Sequence, residues 1–232
     1  MLQELTSKLK TLGASFIKTV EISNLSPKEN RGYNKAILIG VVLSTRYIYK
    51  LSKENILDYS EFSDKENRAD NLADWTEEFI ISKGYKAFSQ SERNLLQHDL
   101  FEREIKTTSL PHKKVAVLAG AGWIGKNNLL VTKEYGSALC MCSVLTDAPL
   151  PIEKTEIIMP KCGDCTICKD ICPAKVIHGT TWEAGIDRDL IVDVYNCETC
   201  LKCLSHCAWT QKYMLAKGEK LNKLRRLESN EI

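Results

Sequence analysis

The chain has 232 residues, enough for one large domain or two small ones. Its 32 Lys and Arg against 30 Asp and Glu leave a formal charge of +2, without the basic excess expected of a dedicated nucleic-acid binder. Hydrophobic residues make up 44% of the chain, but no apolar run approaches the ~20 residues that span a bilayer, which argues against a membrane protein.

In chain order, Met1-Leu2-Gln3-Glu4-Leu5-Thr6 has neither the basic region nor the apolar core of a signal peptide. Leu2, Leu5, Leu9 and Leu12 recur at helical spacing, with Gly13 as a stop. A strand is predicted from Phe16 to Ile22. The nearly continuous apolar run from Ala36 to Ser44 reads as a buried central strand. Polar sequence from Ser52 to Asp70 leads into a helix with Leu72, Trp75, Phe79 and Ile80 on one face, closed by Gly84. Tyr85 to Phe88 is a further strand, and Ser89 to Thr108 a surface helix and loop. Val115 to Ala119 reads as a short strand entering a glycine-rich turn. Asn128 to Thr132 and Ser137 to Thr146 flank Lys133-Glu134-Tyr135-Gly136 as the arms of a hairpin. Cys140 and Cys142 share one face of the second arm and behave as small apolar residues. A Lys- and Leu-rich tail, Tyr213 to Leu227, is predicted helical. Its Lys217, Lys220, Lys223, Arg225 and Arg226 are read as a solvated face. Together these elements predict an α/β (α+β) domain over 1–155, followed by a small module over 156–232.

Gly120-Ala121-Gly122-Trp123-Ile124-Gly125 matches G-x-G-x-x-G, follows a predicted strand and has Asp147 downstream, as in a dinucleotide fold. The context resists that reading. A dinucleotide turn must open a helix whose N-terminus holds the pyrophosphate. Only Lys126 to Gly136 lies before the next strand, and the bulky Trp123 sits inside the loop. The glycines are better read as a tight turn or a close backbone approach.

Eight of the ten cysteines form two copies of C-x2-C-x2-C-x3-C: Cys162, Cys165, Cys168, Cys172 and Cys197, Cys200, Cys203, Cys207. Bacterial ferredoxins hold 4Fe-4S cubanes with this spacing, and in two-cluster proteins the fourth cysteine of a run ligates the other cluster. The expected sets are Cys162, Cys165, Cys168 with Cys207, and Cys197, Cys200, Cys203 with Cys172. Zinc prefers two close pairs separated by a longer loop. A disulfide framework needs an oxidising compartment, to which nothing in the sequence points. Cysteines kept reduced for cluster assembly lead to the expectation of a cytoplasmic protein. Pro173 follows the first run as the pattern expects, and Ala208 stands where the second proline would be.

The segment from Ala119 to Asn127, with Tyr135-Gly136-Ser137, Leu145-Thr146-Asp147-Ala148-Pro149-Leu150-Pro151 and the first cysteine run, resembles epoxyqueuosine reductase, a family similar in turn to reductive dehalogenases. The resemblance is clear over about Leu110 to Cys172. It implies a nitroreductase-like domain holding cobalamin, and two 4Fe-4S clusters delivering electrons to the cobalt. It also implies that Gly120, Gly122, Trp123, Gly125, Lys126 and Asn127 help form the corrinoid pocket. Nitroreductase-like folds often pair, so a homodimer is left open by analogy. The family's acidic proton donor, in an Asp-x-x-Pro stretch, has no counterpart in Lys106-Thr107-Thr108-Ser109-Leu110-Pro111-His112-Lys113. The C-terminal extension that helps engage tRNA is also missing, and the second cysteine run is more regular than the family's. The expectation is therefore a short relative of the family rather than the enzyme itself, which argues against action on queuosine in tRNA.

His112 is the candidate replacement for the missing donor, because imidazole titrates near neutral pH. The competing reading is a surface histidine bonded to backbone. Two functions follow. In the first, a ferredoxin- or flavodoxin-like donor reduces the clusters, these reduce a cobalamin, and a small molecule or the corrinoid itself is the substrate. In the second, the protein is a ferredoxin-like carrier whose N-terminal domain docks a partner redox enzyme. A flavin in the N-terminal domain is a further variant of the first.

Overall fold

The computed structural model describes residues 1–152 and 154–217. The N-terminal elements are α1 (Leu2–Thr11), β1 (Phe16–Glu21), α2 (Pro27–Asn30), β2 (Lys35–Val42) and α3 (Thr45–Tyr49), the last continued by a π-helical turn, Lys50–Glu54. Next come α4 (Ser60–Ser82), β3 (Ala87–Ser89), α5 (Glu92–Gln97), β4 (Phe101–Glu102), β5 (Thr107–Thr108) and α6 (His112–Leu118). After them lie β6 (Trp123–Ile124), β7 (Leu130–Val131), β8 (Leu139–Thr146), α7 (Ile167–Asp170) and α8 (Lys202–Ser205), then helical residues 208–217. No helix among the described residues is long and apolar enough to cross a membrane.

The chain divides into two compact units. The first gathers Met1–Val42, Phe62–Trp123 and Leu139–Met159; the second gathers Leu43–Glu61, Ile124–Ala138 and the chain from Pro160 on. Relative to a 1–155 and 156–232 partition, two internal segments group with the cysteine runs.

In the first unit a four-stranded antiparallel sheet has the order β1-β2-β8-β3. β2 is central, as its apolar run predicts. Its Ile37, Ile39 and Val41, with Cys142 and Val144 of β8, pack against Leu5 and Leu9 of α1 and against Ala69, Leu72, Ala73 and Ile80 of α4. Successive strand side chains alternate faces, so Leu38 and Ser143 point to the other side. There α6 packs against β1, β2 and β8. A strand covered on both faces must be apolar throughout, which is why β2 lacks the alternation of a half-solvated strand. The unit is thus a mixed α/β layer structure, as the sequence predicts.

Three local predictions are corrected. Val115 to Ala119 is not a strand: it is the body of α6, which begins after Pro111 at its N-cap. A run this short has no readable period, and its bracketing by Pro111 and Gly120 decides it. The amide of Gly120 donates to the Val117 carbonyl (3.0 Å) and that of Ala121 to the Ala116 carbonyl (2.9 Å). With φ +60° at Gly120 this is a Schellman cap. α4 begins at Ser60, so the polar 60–70 stretch is its solvated first turns rather than a loop. Thr132 and Gly136 do exchange backbone hydrogen bonds (2.9 and 3.1 Å) around the expected turn. The arms do not pair, however: β8 joins β2 and β3, and β7 pairs with β6.

A Cβ at Gly120 would stand 2.9 Å from the Thr155 Cβ and 3.3 Å from the Glu156 carbonyl oxygen. Gly120→Ala therefore meets both backbone strain and a close contact. We expect it to lower stability by about 2–3 kcal/mol in urea denaturation, against about 1 kcal/mol for Gly84→Ala (φ +86°), which bears left-handed strain with no atom in the way.

Candidate metal centre

The second unit is built around the cysteine runs. Short helices α7 and α8 carry Cys168 and Cys203, and an antiparallel bridge pairs Ile177 with Val192. Cys172, Val176, Ile177 and Val192 form a small buried cluster, with Cys168 and Cys203 packed against it. All eight run cysteines are free thiols. With no metal bound, burial pushes the Cys168 thiol up to about 11, reinforced by the thiols of Cys162, Cys207 and Cys165. Burial pushes Cys203 up to about 12, reinforced by Cys200, Cys197, Cys168 and Cys172. The thiols acting on Cys168 thus include Cys207 of the second run, and those acting on Cys203 include Cys168 and Cys172 of the first, so the two runs lie close together. Among the described residues no three His, Cys, Asp or Glu side chains stand close enough to hold one metal ion. A single zinc would need its sulfurs about 3.8 Å apart, from Zn–S bonds near 2.3 Å. A cubane holds its ligands at four corners and needs a wider set.

The segment from Ile124 to Ala138 cross-ties these runs. Lys126 Nζ donates to the carbonyls of Gly163 (2.7 Å) and Cys165 (3.4 Å), inside the first run. Asn127 Nδ2 donates to the carbonyl of Cys203 (3.3 Å), inside the second. The Ser137 amide donates to Thr210 Oγ1 (2.9 Å), and the rings of Tyr135 and Tyr213 meet edge to face at 5.6 Å. Tyr213 in turn donates its hydroxyl to the Leu43 carbonyl (3.0 Å), and Tyr59 donates to the Thr199 carbonyl (3.0 Å) between Cys197 and Cys200. His206 Nδ1 lies 3.0 Å from the Lys202 carbonyl, which gives that nitrogen a backbone partner.

The residues that the resemblance assigns to a corrinoid pocket each have partners within the chain or are buried. Gly120 caps α6 and crosses its own backbone at 155–156. Gly122 and Trp123 are buried. Gly125 packs on Asn127 and Val131, where a Cβ would approach within 2.7 and 2.8 Å. Lys126 and Asn127 are engaged with the cysteine runs. Because the motif follows a helix and opens none, it also lacks the geometry of a dinucleotide turn.

His112, at the start of α6 in the first unit, bonds to a side chain: its Nδ1 lies 2.9 Å from Ser143 Oγ. Gln90 Nε2 donates to the same hydroxyl at 2.6 Å. With Gln90 donating, the Ser143 proton turns to Nδ1 and the ring proton sits on Nε2; the assignment comes from the network. Although part of the residue stays accessible, desolvation of the ring pushes His112 down to about 4. The ring therefore stays neutral through the pH range in which an ordinary histidine exchanges its proton. Gln90 and Ser143 carry no sequence signal for this role, because they meet His112 only through the sheet. Cys140 and Cys142 are both buried. Of the basic tail only Lys217 falls among the described residues, with its Nζ 5.5 Å from the Tyr213 ring centre; Lys220, Lys223, Arg225 and Arg226 lie outside them.

No family model matches the chain. Over 107 residues it is 33% identical to epoxyqueuosine reductase of Lactococcus garvieae, covering 45% of this chain and 30% of that protein. Over 111 residues it is 29% identical to epoxyqueuosine reductase of Escherichia coli, covering 48% of this chain and 24% of that one. The chain is similar to epoxyqueuosine reductases. The solved epoxyqueuosine reductase of Streptococcus thermophilus superposes with a TM-score of 0.53 at 20% identity, over 91% of this chain and 66% of that one. A reductive dehalogenase superposes with a TM-score of 0.64 at 16% identity, over 90% of this chain and 33% of that one. The chain spans less than a third of the curated relatives it matches. The expectation against tRNA is unsupported, since the relatives are by name epoxyqueuosine reductases.

Two outcomes follow. At Gly136 (φ +59°) a Cβ would come within 2.2 Å of the Thr210 backbone nitrogen. Gly136→Ala should cost at least about 3 kcal/mol in denaturant unfolding and reduce iron uptake. For His112 a folded value below the unfolded one means that the unfolded state binds the extra proton first. Its stabilising contribution is complete above about pH 6.5 and is lost as pH falls toward 4. Wild-type protein should lose roughly 2 kcal/mol more than His112→Gln between pH 7 and pH 4, after allowance for the ring's partial solvation.

Proposed function

We propose that the chain is a two-cluster iron–sulfur redox protein of the epoxyqueuosine reductase type. Cys162, Cys165, Cys168 and Cys207 hold one 4Fe-4S cluster, and Cys197, Cys200, Cys203 and Cys172 hold the other. The repeated C-x2-C-x2-C-x3-C spacing carries this reading, supported by the closeness of thiols from each run to Cys168 and Cys203 of the other. The clusters supply one-electron transfer. The chain's own contribution is to bury Cys172 beside Val176, Ile177 and Val192, which limits water around the sulfurs. It also fixes the loop carbonyls through Lys126 and Asn127. Thiols raised to about 11 and 12 stay protonated without metal, so assembly releases protons and is favoured by higher pH.

The electrons come from an external one-electron carrier of the ferredoxin or flavodoxin class. They go to a reductase site working with cobalamin. Support for cobalamin is the likeness to epoxyqueuosine reductases and to a structure whose title describes B12-dependent dehalogenation. The residues Gly120 to Asn127 do not fit as its seat, because they are buried or bonded within the chain, and no contact to a corrinoid is assigned to them. That same observation favours the second reading, a cluster-bearing carrier that docks a partner enzyme.

One spectrum separates the two. Protein loaded with iron and sulfide, mixed with cobalamin under reducing, oxygen-free conditions, should bind it and shift its visible bands. An unchanged spectrum with both clusters in place leaves the carrier reading.

A further inference from the structure

The two cysteine runs have identical spacing and nearly balanced charge. The first contains Asp164, Lys169 and Asp170 and is preceded by Lys161; the second contains Glu198 and Lys202, with His206 counted neutral. Formal charge within 161–172 and within 196–207 is therefore zero in each case. What distinguishes them is the side chain that each receives from the 124–138 segment. The first run receives a cation: half-buried Lys126, with its Nζ 2.7 Å from the Gly163 carbonyl and 3.4 Å from that of Cys165. The second receives a neutral amide, buried Asn127, with its Nδ2 3.3 Å from the Cys203 carbonyl. Lys175 also reaches a run carbonyl, that of Asp170 at 3.1 Å, but it is exposed and bonded at a residue that carries its own carboxylate.

A cluster gains negative charge on reduction. A nearby ammonium, partly withdrawn from water, stabilises the reduced form more than the oxidised one, and so raises the potential. Hydrogen bonds to run carbonyls are common to both sides, so the charge is the difference. A second observation bears on direction. Cys197 is exposed, whereas the other seven run cysteines are half-buried or buried.

We propose that Lys126 makes the Cys162, Cys165, Cys168, Cys207 site the higher-potential one, so that electrons enter at the Cys197 set and leave from the Cys162 set. The exchange is one electron, with the Cys197 site oxidised as the Cys162 site is reduced and no proton required. An external low-potential one-electron carrier replaces the electron at the exposed end. This rests on the two-cluster reading above and assigns an order to it.

The test is an anaerobic redox titration of the cluster-loaded full chain, followed by electron paramagnetic resonance. Wild-type protein should show two resolved one-electron steps. Lys126→Gln keeps an N–H donor for the carbonyls and removes the charge. It should lower only the higher potential, cutting the reduced-to-oxidised ratio of that site about tenfold at fixed solution potential, the equivalent of about 59 mV. Lys126→Arg should restore the wild-type gap. Asp164→Asn leaves Lys126 untouched and removes an exposed negative charge from the same loop. It should raise the higher potential by a smaller, salt-sensitive amount, which keeps the test open if Lys126→Gln fails to assemble. Movement of the lower potential in either variant, or of neither potential in both, overturns the proposal. Loaded wild-type protein that shows only one cluster overturns the two-cluster reading and the order with it, whereas two clusters with unmoved potentials overturn the order alone.

Discussion

Everything in the cysteine-bearing unit hangs on the cross-tying of two short runs by the segment from Ile124 to Ala138. One apolar cluster of the unit centres on Cys172, Val176, Ile177 and Val192, and Leu43, Ile48, Leu130, Val131, Leu201 and Leu204 are buried in the unit as well. Apolar burial is non-directional and does not by itself fix where the run carbonyls lie. That placement comes from donors aimed at backbone carbonyls and from one close backbone crossing. Lys126 and Asn127 are adjacent in sequence and reach one run each. Gly136 admits the backbone of Thr210 to a distance that no side chain would allow. These ties fix the backbone of both runs on either side of the cysteines.

The same segment changes the meaning of the glycine motif. As a string, Gly120 to Gly125 suggests a phosphate-binding loop. In the fold its two ends do different work: Gly120 terminates α6 within the sheet unit, and Gly125 turns the chain into the cluster unit. Trp123 between them is fully buried, which a phosphate loop could not tolerate. The glycines serve backbone geometry in both cases, and the polar pair that follows serves the cysteine runs.

Much of this was legible in the sequence where periodicity was long or spacing strict. The helix at Leu2–Thr11 and the central strand at Lys35–Val42 show their burial patterns directly. Eight cysteines at fixed spacing declare a ligand framework without any fold. What was hidden is non-local or too short. α6 has seven residues, so the apolar stretch Val115–Leu118 reads equally well as strand. The pairing of β8 with β2 rather than with β7 is decided by which partner has the longer matching edge. The Gln90–Ser143–His112 network depends on residues brought together by the sheet, and burial there moves a histidine away from the titration range that its residue type suggests. Lys126 looks like any solvated lysine until the first run is placed beside it.

The two cysteine runs are proposed to hold two cubanes. Iron and acid-labile sulfide counts combined with Mössbauer spectra of the anaerobically loaded chain test it most directly. Two cubanes give about eight irons and eight sulfides per chain, all in cubane environments. About four irons, or isolated tetrahedral iron without sulfide, would contradict it.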